Sequence, residues 1–121
     1  MASDREEIQR RLRHLHEQLR AVSGEPLMRG SVVERLRRCG RPNCACAREP
    51  KARHGGKVLT VYLEGRTHAL PLRPEDEARV RQAIMAYGRV WEIINGLTAG
   101  ELRELRRAGR ERRRARRRPG R

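Results

Sequence analysis

All three cysteines of this 121-residue chain fall within eight positions, as Cys39, Cys44 and Cys46 in the spacing C-x4-C-x-C, and His54 follows eight residues after the last. Thiolates and an imidazole so close in sequence are typical ligands of tetrahedral zinc, which takes about four soft or borderline donors. A tight turn supplies three of them at little cost in chain entropy, and Gly40 and Pro42 furnish the turn. Arg38, Arg41 and Arg48 are neighbours in sequence that favour the ionised, metal-binding thiolates. The expected site is one zinc per chain held by Cys39, Cys44, Cys46 and His54, with His68, His14 and His16 as competitors for the fourth position. The blander alternative is three reduced, half-buried thiols. Catalytic or redox use is weakly supported, because between residues 39 and 54 only Glu49 could act as a base, and no nucleophile, base and orienting group occur together. No enzymatic activity is expected.

Short strands and helices must position this set. Residues 31–38, SVVERLRR, read as a strand, and residues 57–72, KVLTVYLEGRTHALPL, as a hairpin that turns at Glu64-Gly65. The cysteine segment then connects the first and second strands, with Gly40, Pro42, Pro50, Gly55 and Gly56 enforcing turns. Residues 3–22 have helical periodicity: Ser3 and Glu6 suggest a capping box, and Ile8, Leu12, Leu15, Leu19 and Val22 recur at 4-3-4-3 spacing. Gly24 and Pro26 stop that helix. Pro74 followed by Glu75, Asp76 and Glu77 opens another, in which Val80, Ile84, Tyr87, Trp91 and Ile94 repeat the same spacing. Asn95-Gly96 is expected to end it, and Thr98 with Glu101 to cap a last helix from about Ala99. Two such narrow stripes suit a helical hairpin or coiled coil, within one chain or between two copies. The expected fold is α+β: a small three-stranded antiparallel meander with a metal-binding turn, packed with amphipathic helices. The expected divisions are an N-terminal amphipathic helix (1–24), a core of cysteine turn, β-hairpin and helix (29–97), and a C-terminal helix with an arginine-rich tail (98–121).

Composition limits the core and points to a partner. Only 36% of residues are apolar and phenylalanine is absent, so a metal, a partner or self-association would help the fold. Thirty basic residues oppose fifteen acidic ones, and the excess sits in two blocks. Residues 29–57 hold nine Lys or Arg against two Glu, and residues 106–121 hold ten Arg against Glu111 alone. Such concentration is the footprint of phosphate-backbone binding, and arginine offers paired donors that match phosphate geometry. The candidate contacts to DNA or RNA are Arg35, Arg37, Arg38, Arg41 and Arg48 around the cysteine turn, and Arg106, Arg107, Arg110, Arg112, Arg113, Arg114, Arg116, Arg117 and Arg118 in the tail. A solvated tail with weak affinity for any polyanion is the simpler alternative. With Tyr62, Tyr87 and Trp91 the only aromatics, base stacking is poorly supplied. No window approaches the ~20 apolar residues of a membrane span and the N-terminus lacks the apolar stretch of a signal peptide, so no membrane partner and a reducing cytoplasmic setting are expected.

The segment RGSVVERLRRCGRPNCACA, followed by a His-Gly pair and a hairpin, resembles a family of short uncharacterised bacterial proteins. Its signature is Gly-Ser, then Cys-Gly-x3-Cys-x-Cys, then His-Gly, a hydrophobic hairpin and a helix. The resemblance covers roughly residues 29–97 and falls on Gly30, Ser31, Cys39, Gly40, Cys44, Cys46, His54 and Gly55. Where the family pattern continues with proline and aromatic residues after His-Gly, this chain has Gly56 and Lys57. The resemblance implies no established activity and places such proteins near mobile elements. Together the residues suggest a small zinc protein that binds nucleic acid, as an accessory to a mobile-element or DNA-processing system. The competing expectation is an adaptor or homodimer that binds a partner through its helices and has only nonspecific affinity for polyanions.

Overall fold

The computed structural model of the chain describes residues 3–118. The chain order is helix α1 (Asp4–Ser23), strand β1 (Ser31–Arg37), two single 3-10 turns (Ala45–Ala47 and Pro50–Ala52), strands β2 (His54–Leu63) and β3 (Arg66–Leu72), and helix α2 (Pro74–Arg117). The α+β class and the antiparallel meander expected from the sequence are present, with strand order β1-β2-β3. Two compact units can be distinguished. One is Leu27–Met85, and the other combines the N-terminal segment up to Pro26 with the chain from Ala86 onward.

In the sheet unit, the hairpin turns at Glu64 and Gly65, whose φ values of 53° and 77° are left-handed. That geometry matches the twist of the flanking strands and suits glycine at the second position. β2 pairs with β1 from Ser31 opposite Thr60 to Arg37 opposite His54, and with β3 from Lys57 opposite Leu72 to Leu63 opposite Arg66. β2 starts earlier than expected: Gly55 and Gly56 lie in the strand, opposite Leu36 and Arg35, and do not form a turn. Val58 and Leu59 on β2 and Val80 and Ala83 on α2 are buried. Lys57 Nζ donates to Glu77 Oε1 at 2.7 Å, joining β2 to the first turns of α2.

In the helical unit, Ser3 caps α1 by accepting the Glu6 N–H at 3.2 Å, and Ile8, Leu12, Leu15 and Val22 are buried. Their partner is α2 of the same chain. The expected helix end at Asn95-Gly96 is overturned, because α2 runs unbroken through both residues and Thr98 donates its hydroxyl back to the Ile94 carbonyl at 2.9 Å without capping a new helix. Glycine serves contact here. A methyl group at Gly96 would lie 3.2 Å from Leu15, and one at Gly100 only 2.6 Å from Leu12. Small residues let the leucine knobs of α1 seat against α2, so the buried face of α2 carries Ala86 and Gly100, whereas Trp91 and Ile94, expected in the seam, are 57% and 43% exposed.

Gly88 and Gly100 should therefore respond oppositely to substitution. Gly88 has open space around its Cα, so Gly88→Ala should stabilise the chain by about 0.5–1 kcal/mol through helix propensity. Gly100→Leu should lower the melting temperature despite the better helix former, since overpacking costs about 1–3 kcal/mol. Thermal unfolding followed by circular dichroism checks both. Lys57 and then Arg81 hold the Glu77 carboxyl below its ordinary value of 4.5. A lowered carboxylate contributes stability above its unfolded pKa and loses it as pH falls through the folded value, so Glu77→Gln should flatten the acid limb of the stability profile below about pH 4.5.

Candidate metal centre

The loop between β1 and β2 is short of regular structure but densely hydrogen-bonded. Gly40, at φ 83°, reverses the chain directly after Cys39 in a conformation that residues with a side chain adopt at a cost. The Cys44 N–H donates to the Arg41 carbonyl at 3.2 Å, and the Ala47 N–H to the Cys44 carbonyl at 3.1 Å, which winds the first 3-10 turn around Cys46. Pro50 starts the second turn, closed by the Arg53 N–H on its carbonyl at 3.3 Å. His54 is then the first residue of β2, opposite Arg37 at the end of β1. Strand pairing thus closes the loop, holding His54 near Cys39, two residues beyond the end of β1.

The ligand atoms of Cys39, Cys44, Cys46 and His54 all lie within 4.8 Å of one another, close enough to hold a metal ion. Cys46 Sγ is 3.5 Å from Cys39 Sγ, and Cys44 Sγ is 3.3 Å from His54 Nε2. A tetrahedron with metal–sulfur bonds of about 2.3 Å has edges of about 3.8 Å, so these separations suit four-coordination. They are far longer than the ~2.05 Å of a disulfide, and all three thiols are free. His68, on β3, and His14 and His16, on α1, are not members of the cluster.

Environment separates the thiols. Cys46 is 1% exposed and accepts the Cys39 N–H at 3.3 Å. That backbone hydrogen bond lowers its pKa, but burial and the neighbouring Cys44 and Cys39 sulfurs outweigh it and push the Cys46 thiol up. Cys44 is brought down to about 6, first by a backbone hydrogen bond at Cys46 and then by the His54 ring. One sulfur is therefore ionised readily and another is kept from water, as suits a metal ligand set that must deprotonate together. A cleft lined by Arg41, Pro42 and Asn43 opens on Cys39, Cys44 and His54, leaving one side of the cluster to solvent.

The arginines of the first basic block surround this loop. On the antiparallel register Arg35 and Arg37 share a sheet face with His54 and Tyr62, while Lys57, which reaches Glu77 of α2, lies on the other face. Arg35, Arg37, Arg38, Arg41 and Arg48 are all exposed and none is in an ion pair among the described residues. Arg53, not among the candidate contacts named from the sequence, has its Nε buried without a hydrogen-bond partner immediately before His54, and its place in the first basic block is the sequence signal for it. In the second block, α2 carries Arg106, Arg110, Arg112, Arg113, Arg114, Arg116 and Arg117 to its last turn, with Arg118 just beyond, and all are exposed. Arg107 is the exception. Its side chain is only 18% exposed, Glu104 grips it through Nε and Nη2 at 2.9 and 2.8 Å, and Glu111 takes Nη1 at 2.7 Å. No helix among the described residues is long and apolar enough to cross a membrane.

No curated protein and no solved structure matches the chain. Residues 5–82 match the model of a family described as Domain of unknown function (DUF6788). That span takes in α1 from its second residue on, the whole sheet with its cysteine loop and the first turns of α2, and the chain belongs to the DUF6788 family.

Proposed function

We propose that the protein binds nucleic acid through phosphate contacts made by arginines on a zinc-ordered loop, reinforced by the arginine-rich end of α2. The observation that carries this reading is the β1–β2 register, which sets exposed Arg35 and Arg37 on the face of the candidate ligand His54, next to Arg38, Arg41 and Arg48 of the loop. Guanidinium groups that have no carboxylate partner are free to take paired phosphate oxygens. Zinc is the metal best suited to three thiolates and an imidazole, and four protein ligands would close its coordination, giving it a structural and not a catalytic role. Cys39, Cys44, Cys46 and His54 would hold it, and its chemistry would be to fix the loop that carries the arginines. Tyr62, exposed on the same face, could add one stacking contact, too little for single-strand recognition, so duplex or structured nucleic acid is the favoured ligand. The setting that fits is a cytoplasmic accessory to a mobile-element or DNA-processing system, as the Gly-Ser, Cys-Gly-x3-Cys-x-Cys and His-Gly signature suggests.

Metal analysis of protein purified without chelator should find about one zinc per chain. Cys44→Ser should lose most of it together with the folded state of the sheet unit, because zinc supplies about 10–16 kcal/mol of apparent binding energy in small structural sites. A metal content near zero with a Cys44→Ser melting curve like that of the parent would remove zinc from the account.

Binding to duplex DNA and to structured RNA should weaken steeply with salt. For ~6 neutralised phosphates, log affinity against log salt should slope at about −5 on duplex DNA. Replacing Arg35 and Arg37 together by alanine should make the slope shallower by about 2, and deleting residues 106–121 should make it shallower without abolishing binding. An affinity indifferent to salt would exclude a phosphate-dominated contact.

A further inference from the structure

α2 has a second apolar face that α1 does not cover. Trp91, Ile94, Leu102 and Leu105 are 57%, 43%, 45% and 67% exposed. Trp91, Thr98 and Leu105 stand at heptad spacing, and Ile94 and Leu102 fill the turns between, so the five form one stripe about 21 Å long on the helix. The face toward α1 is a different one, marked by Ala86, Gly96 and Gly100.

The stripe has a symmetry of its own. About Thr98 the positions are palindromic: Ile94 and Leu102 lie four residues to either side, Trp91 and Leu105 seven. A two-fold interface requires such self-complementarity, because each residue meets its mirror position on the other copy. Antiparallel pairing centred on Thr98 would set Ile94 against Leu102 of a second copy and Trp91 against Leu105.

Charge selects the same arrangement. Glu92 and Arg106 are two heptads apart, hence on one flank of the stripe, and neither is in an ion pair among the described residues. Antiparallel pairing brings Glu92 to within about two residues, ~3 Å along the axis, of the level of the other copy's Arg106, and does so twice. Parallel pairing would place the two copies of Glu92 at one level on opposite sides of the interface, leave Glu92 two heptads from the level of Arg106, and lay one arginine-rich helix end along the other. We infer that the outer stripe of α2, Trp91, Ile94, Thr98, Leu102 and Leu105, pairs antiparallel with the same stripe of a second copy, making the protein a symmetric dimer.

Sedimentation equilibrium of full-length, nuclease-treated protein tests this independently of any nucleic-acid or metal role. The expected mass is twice the 14.1 kDa of the chain, with emission of the sole tryptophan, Trp91, shifting to longer wavelength on dilution as the ring becomes solvated. Leu102→Glu should reduce the mass to 14.1 kDa and leave the far-ultraviolet circular dichroism unchanged, since the side chain points away from the α1 seam. Glu92→Arg should weaken the dimer at least tenfold, and adding Arg106→Glu to it should restore the association. A monomer at every concentration reached overturns the inference, including one whose Trp91 is shielded by nucleic acid or by another protein. So does a dimer that survives Leu102→Glu, and a dimer indifferent to Glu92→Arg overturns the antiparallel arrangement.

Discussion

The pairing of β1 with β2 is the constraint from which the candidate metal centre of this protein follows. Seven residue pairs, from Ser31 opposite Thr60 to Arg37 opposite His54, close a loop that is otherwise held by 3-10 turns, a left-handed glycine and hydrogen bonds among the cysteines and His54. With the strands in register, the last pair stands two residues from Cys39 and includes the histidine, and the turns then bring in Cys44 and Cys46. A slip of one residue would put His54 on the sheet face opposite to Arg35 and Arg37 and take it out of the cluster. Conversely, four ligands tied to one metal would clamp the open end of the ladder, a substantial gain where Val58, Leu59, Val80 and Ala83 are the buried aliphatic residues of the sheet unit.

What could be read from the sequence was whatever depends on neighbours along the chain. The cysteine spacing, the hairpin at Glu64-Gly65, the cap at Ser3 and the leucine stripe of α1 are all local patterns, and the structure contains them. Glycine was where local reading failed, because its small size serves both turns and close contacts. Gly96 after an asparagine has the appearance of a helix terminus, and only the leucines of α1, some eighty residues away in sequence, show that it is a contact surface. Gly55 and Gly56 followed by a lysine look like a turn, yet opposite Leu36 and Arg35 they are strand. The α2 seam was misplaced for the same reason: a search for large apolar residues picks out Trp91 and Ile94, while the leucines of α1 meet alanine and glycine.

Arginine is used in two physically distinct ways. Arg107 is withdrawn from solvent, and Glu104 and Glu111, one turn to either side, hold its guanidinium and push its pKa further up, with Glu104 lowered in return. Such spacing at i,i+3 and i,i+4 is the usual support of a helix surface. Arg35, Arg37, Arg38, Arg41 and Arg48 have no such partner among the described residues. Sequence alone does not separate the two classes, because the glutamates that neutralise an arginine are identified by helix geometry and not by their number.

The end of α2 shows what a helix needs when it has no core. From Arg106 to Arg117, arginines at i,i+3 and i,i+4 repel one another, each pair costing about 0.2–0.5 kcal/mol, and the seam with α1 no longer supplies large apolar contacts. Two effects oppose this within the chain: the clamp of Glu104 and Glu111 on Arg107, and the attraction of Arg114, Arg116 and Arg117 to the negative end of the helix dipole. A polyanion laid along this end would remove the repulsion instead of balancing it, so the helical form and the bound form favour each other. The same electrostatics shape the outer stripe of α2, where from Trp91 to Leu105 acidic Glu92, Glu101 and Glu104 outnumber the one arginine, Arg103. The helix thus carries apolar self-complementarity in its middle and unneutralised charge at its end. A second copy suits the first and phosphates would suit the second, and Arg106, at the boundary, is common to both.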